Sequence, residues 1–480
     1  MPTSSRVVLL IILLLATALR LAAFFDNHFH ADEALFASWA RLIAIWRDPL
    51  LLAQPVDKPP LLFYLQALAF PLFGPLEWSA RVPDMVASLL LVPLTAVFSW
   101  RLFGSSASAL SAALLVAMSP MAIQFSGTAF TDPLLCALLV AALLFVVASP
   151  RPFWSGFCFG LAVLTKHQAW LFLPLLTGLV WLNGWQALQW RRMAAGFLPP
   201  FLLFLAWQLV RGGGLDLWSS QLNNFGGLRL AWSWELAPRL DAWADLLSLT
   251  LGSWLMIALL LLSIPVVWFS SPKRGDTSAL ADRLIILFIA GYLALHWLLA
   301  VPVWDRYLLP LVPLSAVIVG RGIGLALHWL PDHHPGRRYP GMLLILAFIA
   351  AVQMSTAVAA RNGHFPVGGQ RNGDSGAWEV AEYLAGTPYG TVLYDHWYSW
   401  HWQYFFIDRG VYTSWFPYPA GLVDDLDVFG KAAGDRYLVL PADDQALPVR
   451  RAVEEAGFEM RQVLHTDSQP GMILYRITPS

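Results

Sequence analysis

Charge is what this chain has least of: 13% of its 480 residues are Asp, Glu, Lys or Arg, about half the share of a soluble globular domain. So little charge cannot wet a surface on all sides, which points to the bilayer as solvent. The formal net charge is −1, so the chain has no global basic field for nucleic acid and no acidic one for cations. Cysteine is nearly absent. Cys136 and Cys158 both fall inside apolar runs, where a packed small hydrophobe is expected rather than a disulfide. The sequence also lacks Cys/His metal-ligand spacing, a glycine loop that would cradle phosphates, and a nucleophile elbow, which leaves hydrolase and nucleotide-driven chemistry without support. No internal repeat or low-complexity segment is visible.

What is abundant is apolar and aromatic: 58% hydrophobic residues, with 24 Trp and 29 Phe, a composition suited to two membrane interfaces. Runs long enough to cross a hydrocarbon layer of ~30 Å lie near 7–25, 79–100, 107–125, 133–149, 153–165, 168–183, 193–210, 248–269, 283–300, 307–328 and 341–360. The first exceeds a signal-peptide core and no small-residue cleavage site follows it, so it reads as a retained span. About eleven spans put the termini on opposite sides. Arg101, Arg151, Arg191–Arg192, Lys273–Arg274 and Arg337–Arg338 mark the cytoplasmic loops. The expected protein is therefore multi-pass in the cell (inner) membrane, its N-terminus cytoplasmic and its C-terminus extracytoplasmic. Residues 26–78, 211–247 and the tail after Arg361 then face outward.

The tail is a different material. It holds 15 of the 31 acidic residues in a quarter of the chain and no run that could span. Strands are expected at 391–395, 411–415, 436–441, 459–465 and 472–477, and helices at 377–385, 400–407, 424–433 and 447–456, an alternation that predicts a small α/β domain over 361–480. Trp397, Trp400, Trp402, Tyr404 and Phe405 form a dense aromatic cluster there. It reads either as core or membrane-facing surface, or as a sugar or lipid platform.

The first external loop is the most informative. Asp32 and Glu33 open a run in which Leu35, Phe36, Trp39, Leu42, Ile43 and Trp46 make one apolar stripe, predicting a helix in the interface plane. The two acids suit the positive helix start, so capping is one reading. The other is a carboxylate base at the membrane surface, which transfer from a sugar phosphate requires to deprotonate an acceptor hydroxyl. Asp57–Lys58–Pro59–Pro60 follows, and the prolines bias Lys58 to an extended backbone that aims its ammonium, either to snorkel or to meet a phosphate. Arg81 opens the second span. Asp132, in Thr131–Asp132–Pro133, reads as a helix cap or as a second acid facing a cavity with Asp32. Lys166–His167 and Asp305–Arg306–Tyr307 lie at two further external mouths, each readable as a snorkelling or paired charge or as a ligand.

In these motifs the chain resembles the GT-C membrane glycosyltransferases of the protein O-mannosyltransferase kind, glycosyltransferase family 39, and the lipid A aminoarabinose transferases. The matching pattern is Asp32–Glu33, Lys58–Pro59–Pro60–Leu61, Arg81–Val82–Pro83, Thr131–Asp132–Pro133 and Arg306–Tyr307–Leu308–Leu309–Pro310, in that order over roughly residues 5–330. The resemblance implies an all-α polytopic transferase domain of the GT-C type over 1–360, with the extracytoplasmic α/β domain behind it. It implies inverting transfer from a polyprenyl-phosphate sugar to a lipid, glycan or protein acceptor. Asp32 is then the base, with Glu33 and Asp132 as its companion acids. Lys58, Arg81, Arg306 and Tyr307 are expected at the carrier phosphate, with Asp57, Lys166 and His167 behind them. Where the lipid A branch commonly has Glu before that Lys, this chain has Asp57, which leaves a divalent-metal contact open; no cofactor is otherwise implied. A transporter or lipid flippase is the alternative from another class, set against acids clustered at one face rather than the midplane. A non-catalytic scaffold would leave the first-loop residues unexplained.

Overall fold

The structure, a computed structural model, describes residues 1–147, 151–212, 227–270, 277–328, 338–429, 435–469 and 471–479. It divides into two compact units, one of Met1–Asp26 with Ile43–Gln370 and one of Asn27–Leu42 with Arg371–Ser480.

The first unit is helical. Among the described residues, six helices are long and apolar enough to cross a membrane: Thr3–Asp26 (α1), Glu77–Phe103, Ala187–Val210, Ala279–Leu298, Leu311–His328 and Tyr339–Arg361. Two bent pairs raise that number to eight. Asp132–Val147, Pro152–Thr165 and His167–Leu182 are apolar but shorter. Every run expected to span contains helix; by length and composition the described residues give six crossings, or eight with the bent pairs, beside the about eleven expected. The basic residues Lys273, Arg274 and Arg337 lie outside the described residues, as do 213–226 and the end of the helix expected at 424–433.

The bends have identifiable causes. Ser106–Met118 (α2) ends at Ser119, whose ψ of 121° leaves the helical region, and Pro120 opens the next helix, Pro120–Ser126, at 57° to the first. A proline nitrogen has no hydrogen to give, so the break exposes the last carbonyls of α2. Arg20, buried on α1, supplies the missing donors: Nη1 donates to Ala117 O at 2.8 Å and Nη2 to Val116 O at 3.2 Å. Its Nε donates to Ser88 Oγ at 3.1 Å. A guanidinium at a helix C-terminus also meets the negative end of the helix dipole. The second bent pair, Ser233–Leu251 and Trp254–Trp268, turns 90° at Gly252, φ +96°. Ser119 Oγ donates to Thr250 O at 2.6 Å and the Gln353 amide donates to Leu251 O. Each broken end is thus capped by a neighbouring helix, as backbone at membrane depth requires. Pro152–Thr165 and Ala187–Val210 cross at backbone distance, because a Cβ on Gly156 or Gly196 would fall 1.9 Å from a carbonyl of the other helix.

The second unit contains a five-stranded sheet, where the alternation of the tail predicts one. Its strands are Thr391–Asp395 (β1), Val411–Trp415 (β2), Arg436–Pro441 (β3), Phe458–His465 (β4) and Met472–Pro479 (β5), in the order β2-β1-β3-β5-β4. β1 pairs parallel with β2 and β3; β5 runs antiparallel between β3 and β4. Helices Ala377–Ala385, Ser399–Phe405, Pro419–Phe429 and Leu447–Glu455 complete it. The core packs Leu422, Leu426, Val449 and Val453 of two helices with Leu438 and Leu440 of β3 and Ile477 of β5.

Residues 27–42 fold into this unit. The helix Ala31–Ala44 (α3) buries Phe36 and Trp39 of its apolar stripe, so that face is covered by protein rather than lying open in an interface plane. Arg41 donates to Tyr404 O, pairs with Asp408 and stands 5.1 Å above the Tyr404 ring. The His401 ring meets Phe29 O at 3.1 Å, and His28 stacks on Trp378. Trp402, Tyr404 and Phe405 are buried, so the core reading holds for most of that aromatic cluster.

Candidate functional site

In the helical unit, charged residues from four segments of the chain meet. Asp132 begins its helix, yet its carboxylate is not spent on that helix. Oδ1 accepts from Lys166 Nζ at 2.6 Å, with the two side chains 1% and 10% exposed. Thr131 Oγ1 stands 3.5 Å from Oδ2. Between the capping and the cavity-facing reading of Asp132, the geometry is that of a buried ion pair. Such a pair is costly to form and costlier to break by removing one partner.

The loop Asp305–Tyr307 lies against it. Lys166 Nζ sits 5.3 Å above the Tyr307 ring. Tyr307 O accepts from Tyr292 Oη at 2.8 Å and from Gln168 Nε2 at 3.3 Å. Arg306 places its guanidinium 4.2 Å from the Trp304 ring and 5.4 Å from that of Phe130. Asp305 anchors the loop, accepting Gly368 N–H at 2.6 Å and Arg306 N–H at 2.7 Å. Burial raises its carboxyl above the usual range, against the pull of those two N–H groups.

Asp57 and Lys58 pair with each other directly before Pro59 and Pro60, which precede the helix Leu61–Phe73. Both stay partly exposed. Lys166 is close enough to feel the charges of Asp132, Arg306 and Lys58, and His167 those of Lys58 and Asp57. The structure thus brings Asp57, Lys58, Asp132, Lys166, His167, Arg306 and Tyr307 into one electrostatic neighbourhood. His167 itself packs edge-on to Phe204. Arg81 is buried on Glu77–Phe103 one turn before Asp84, which is also buried. Two members escaped the sequence reading. Gln168 follows Lys166–His167 and could have been flagged by position; Tyr292 sits within an apolar span and carries no local signal.

Asp32 and Glu33 belong to the other unit, on the first turn of α3. There the two adjacent acids divide. Glu33 is buried and its Oε1 accepts the N–H of His30 at 3.2 Å, the back-bonding half of a helix-start box. Asp32 is only partly buried, and its backbone N–H is donated to His30 Nδ1 at 3.2 Å. Glu33 thus caps the start of α3. Among the described residues no group of three His, Cys, Asp or Glu is placed to hold a metal ion.

The family described as dolichyl-phosphate-mannose-protein mannosyltransferase matches residues 57–208, the stretch that carries Lys58, Arg81, Asp132, Lys166 and His167. In structure the chain is similar to ArnT from Cupriavidus metallidurans bound to undecaprenyl phosphate, with TM-score 0.65, 16% identity and coverage of 99% of this chain and 98% of that one. It is also similar to the oligosaccharyltransferase of Archaeoglobus fulgidus tethered with an acceptor peptide, with TM-score 0.59, 14% identity and coverage of 99% and 74%. A third likeness is to the arabinofuranosyltransferase AftD from Mycobacteria, with TM-score 0.53, 16% identity and coverage of 100% and 42%. No curated protein matches by sequence. At these identities the likeness is one of fold, and these structures are all GT-C glycosyltransferases, the group that the sequence motifs resemble.

Proposed function

From that shared GT-C fold, we propose that the chain transfers a sugar from a polyprenyl-phosphate-linked donor to an acceptor hydroxyl on the extracytoplasmic face of the membrane, with inversion. Asp32 takes the proton of the acceptor hydroxyl. The freed oxygen attacks the anomeric carbon, and the polyprenyl phosphate leaves with the electron pair of the broken C–O bond. The observation that carries this reading is that Lys58 and Arg306 both act on Lys166, which is paired with Asp132. Lys58 and Lys166 each hold a carboxylate, Asp57 and Asp132, and an arriving phosphate adds charge-assisted contacts to these ammonium groups. The tethering of Lys166 to Asp132 holds one of them at a fixed position.

Lys58 is the cation this reading exposes most directly to test, because its only neighbour in sequence for charge is Asp57. Lys58→Ala should raise the KM for a radiolabelled polyprenyl-phosphate sugar by roughly tenfold, since charge-assisted contacts to phosphate are about twice as strong as neutral ones. An unchanged KM leaves Lys58 as an interfacial anchor. The same assay separates transfer from transport: donor crossing the bilayer with no release of polyprenyl phosphate is the flippase result. Orientation is tested with a reporter active only in the cytoplasm. Fused after Ser480 it should be silent; full activity reverses the membrane topology and with it the side of the reaction.

A further inference from the structure

The first three strands of the sheet, in the order β2-β1-β3, repeat the start of the flavodoxin-like order, in which ligands bind outside the carboxyl ends of the strands where the strand order reverses. β1, β2 and β3 run parallel, so Asp395, Trp415 and Pro441 finish at one edge of the sheet. The residues just beyond are arranged as a rigid platform. Asp395 is buried and holds the loop after β1, accepting the N–H of Trp397 at 3.1 Å and of Tyr398 at 3.0 Å, and the Ser399 hydroxyl at 2.9 Å. His396 is fixed by its Nδ1, 2.7 Å from Phe416 O, and Trp415 lies parallel to it, 10° between planes at 6.0 Å. The Trp415 indole donates to His396 O at 3.3 Å.

Trp415 is nonetheless 59% exposed, and Tyr418 behind it 57%. A large ring that is held by a hydrogen bond and a stacking neighbour and still exposed costs little entropy to bind against. Asp443 is exposed at the far flank, beyond β3; burial first, then the charges of Asp395 and Asp443, push the Tyr398 phenol up to about 12. The flanks carrying Trp415 and Asp443 are two strand spacings apart, about 10 Å, more than one sugar ring covers.

We propose that this edge is an oligosaccharide-binding site, in which one sugar ring stacks on Trp415 and the hydroxyls of the next meet Tyr398 and Asp443. Charge argues against a membrane surface as the occupant. After Arg361 the chain has 15 acidic against 8 basic residues, a net of −7, and anionic headgroups repel such a domain. A neutral polyol accepts both the aromatic face and the carboxylate. The site takes no part in the transfer step proposed above, so it can be read on protein in which that step is disabled.

The test uses the full chain carrying Asp32→Asn, in phosphatidylcholine nanodiscs. It is titrated by calorimetry with trisaccharides of gluco, manno and N-acetylglucosamine configuration. At least one should bind, and adding Trp415→Ala should weaken it roughly tenfold or more, the scale of one lost aromatic stacking contact. Asp443→Asn should weaken it less, and neither variant should alter the near-UV circular dichroism of the fold beyond one indole. Failure of every trisaccharide to bind, or equal binding with and without Trp415, overturns the proposal. So does a result in which Trp415→Ala removes only association with phosphatidylglycerol vesicles, which would make the ring a membrane anchor.

Discussion

Turnover should fall by about 10² to 10⁴ when Asp32 is replaced by Asn, the usual span for loss of a general base. Asn keeps the shape of the residue and caps a helix as well as Asp does, so the loss cannot be assigned to the start of α3. The neighbouring acid supplies the control. Glu33 is buried with its carboxylate on the His30 N–H, so Glu33→Gln retains an acceptor there and should leave turnover within a few-fold. Glu33→Ala should cost about 1 kcal/mol of stability, the worth of one capping bond. Both are measured as turnover of purified protein normalised to the folded fraction. Near-normal turnover in Asp32→Asn with a collapse in Glu33→Gln would exchange the roles; normal turnover in both would remove this loop from the chemistry.

The second large effect is on stability. Arg20→Leu strips the donors from the two carbonyls at the broken end of α2, Val116 O and Ala117 O. Each buried carbonyl left unsatisfied costs about 1–3 kcal/mol, so a loss of about 2–6 kcal/mol is expected on unfolding in mixed detergent micelles. Arg20→Lys should recover part of it, since an ammonium can reach one carbonyl but cannot span two with fixed geometry. A Leu variant as stable as the parent would mean that the bend at Ser119 relaxes and finds other donors.

How far these features were legible depends on the separation over which each is decided. The apolar runs and the period-two strands are local, and helices and strands stand where they predict them: β1 and β2 occupy 391–395 and 411–415. The break at Ser119 was written locally too, in Pro120, but a hydropathy window averages over it and reads 107–125 as one span. The partner of Asp132 was not local. Capping and ion pairing use the same carboxylate, and Lys166, which decides between them, lies 34 residues on. The burial of α3 depends on still more distant residues. An apolar stripe says that a helix face will be covered; it does not say whether lipid or protein covers it.

The membership of residues 27–42 in the second unit has a consequence for how the chain is made. Arg41 waits for Tyr404 and Asp408, 363 and 367 residues downstream. At about 5–20 residues per second of synthesis, that delay is roughly 20–70 s. Throughout it, the segment that carries Asp32 has left the ribosome without the surface that fixes its shape. Translation to near the end of the chain is therefore the step that completes this loop. A chain released before Tyr404 would lack the partners of Arg41, so truncation in the last quarter would unsettle a segment near the beginning.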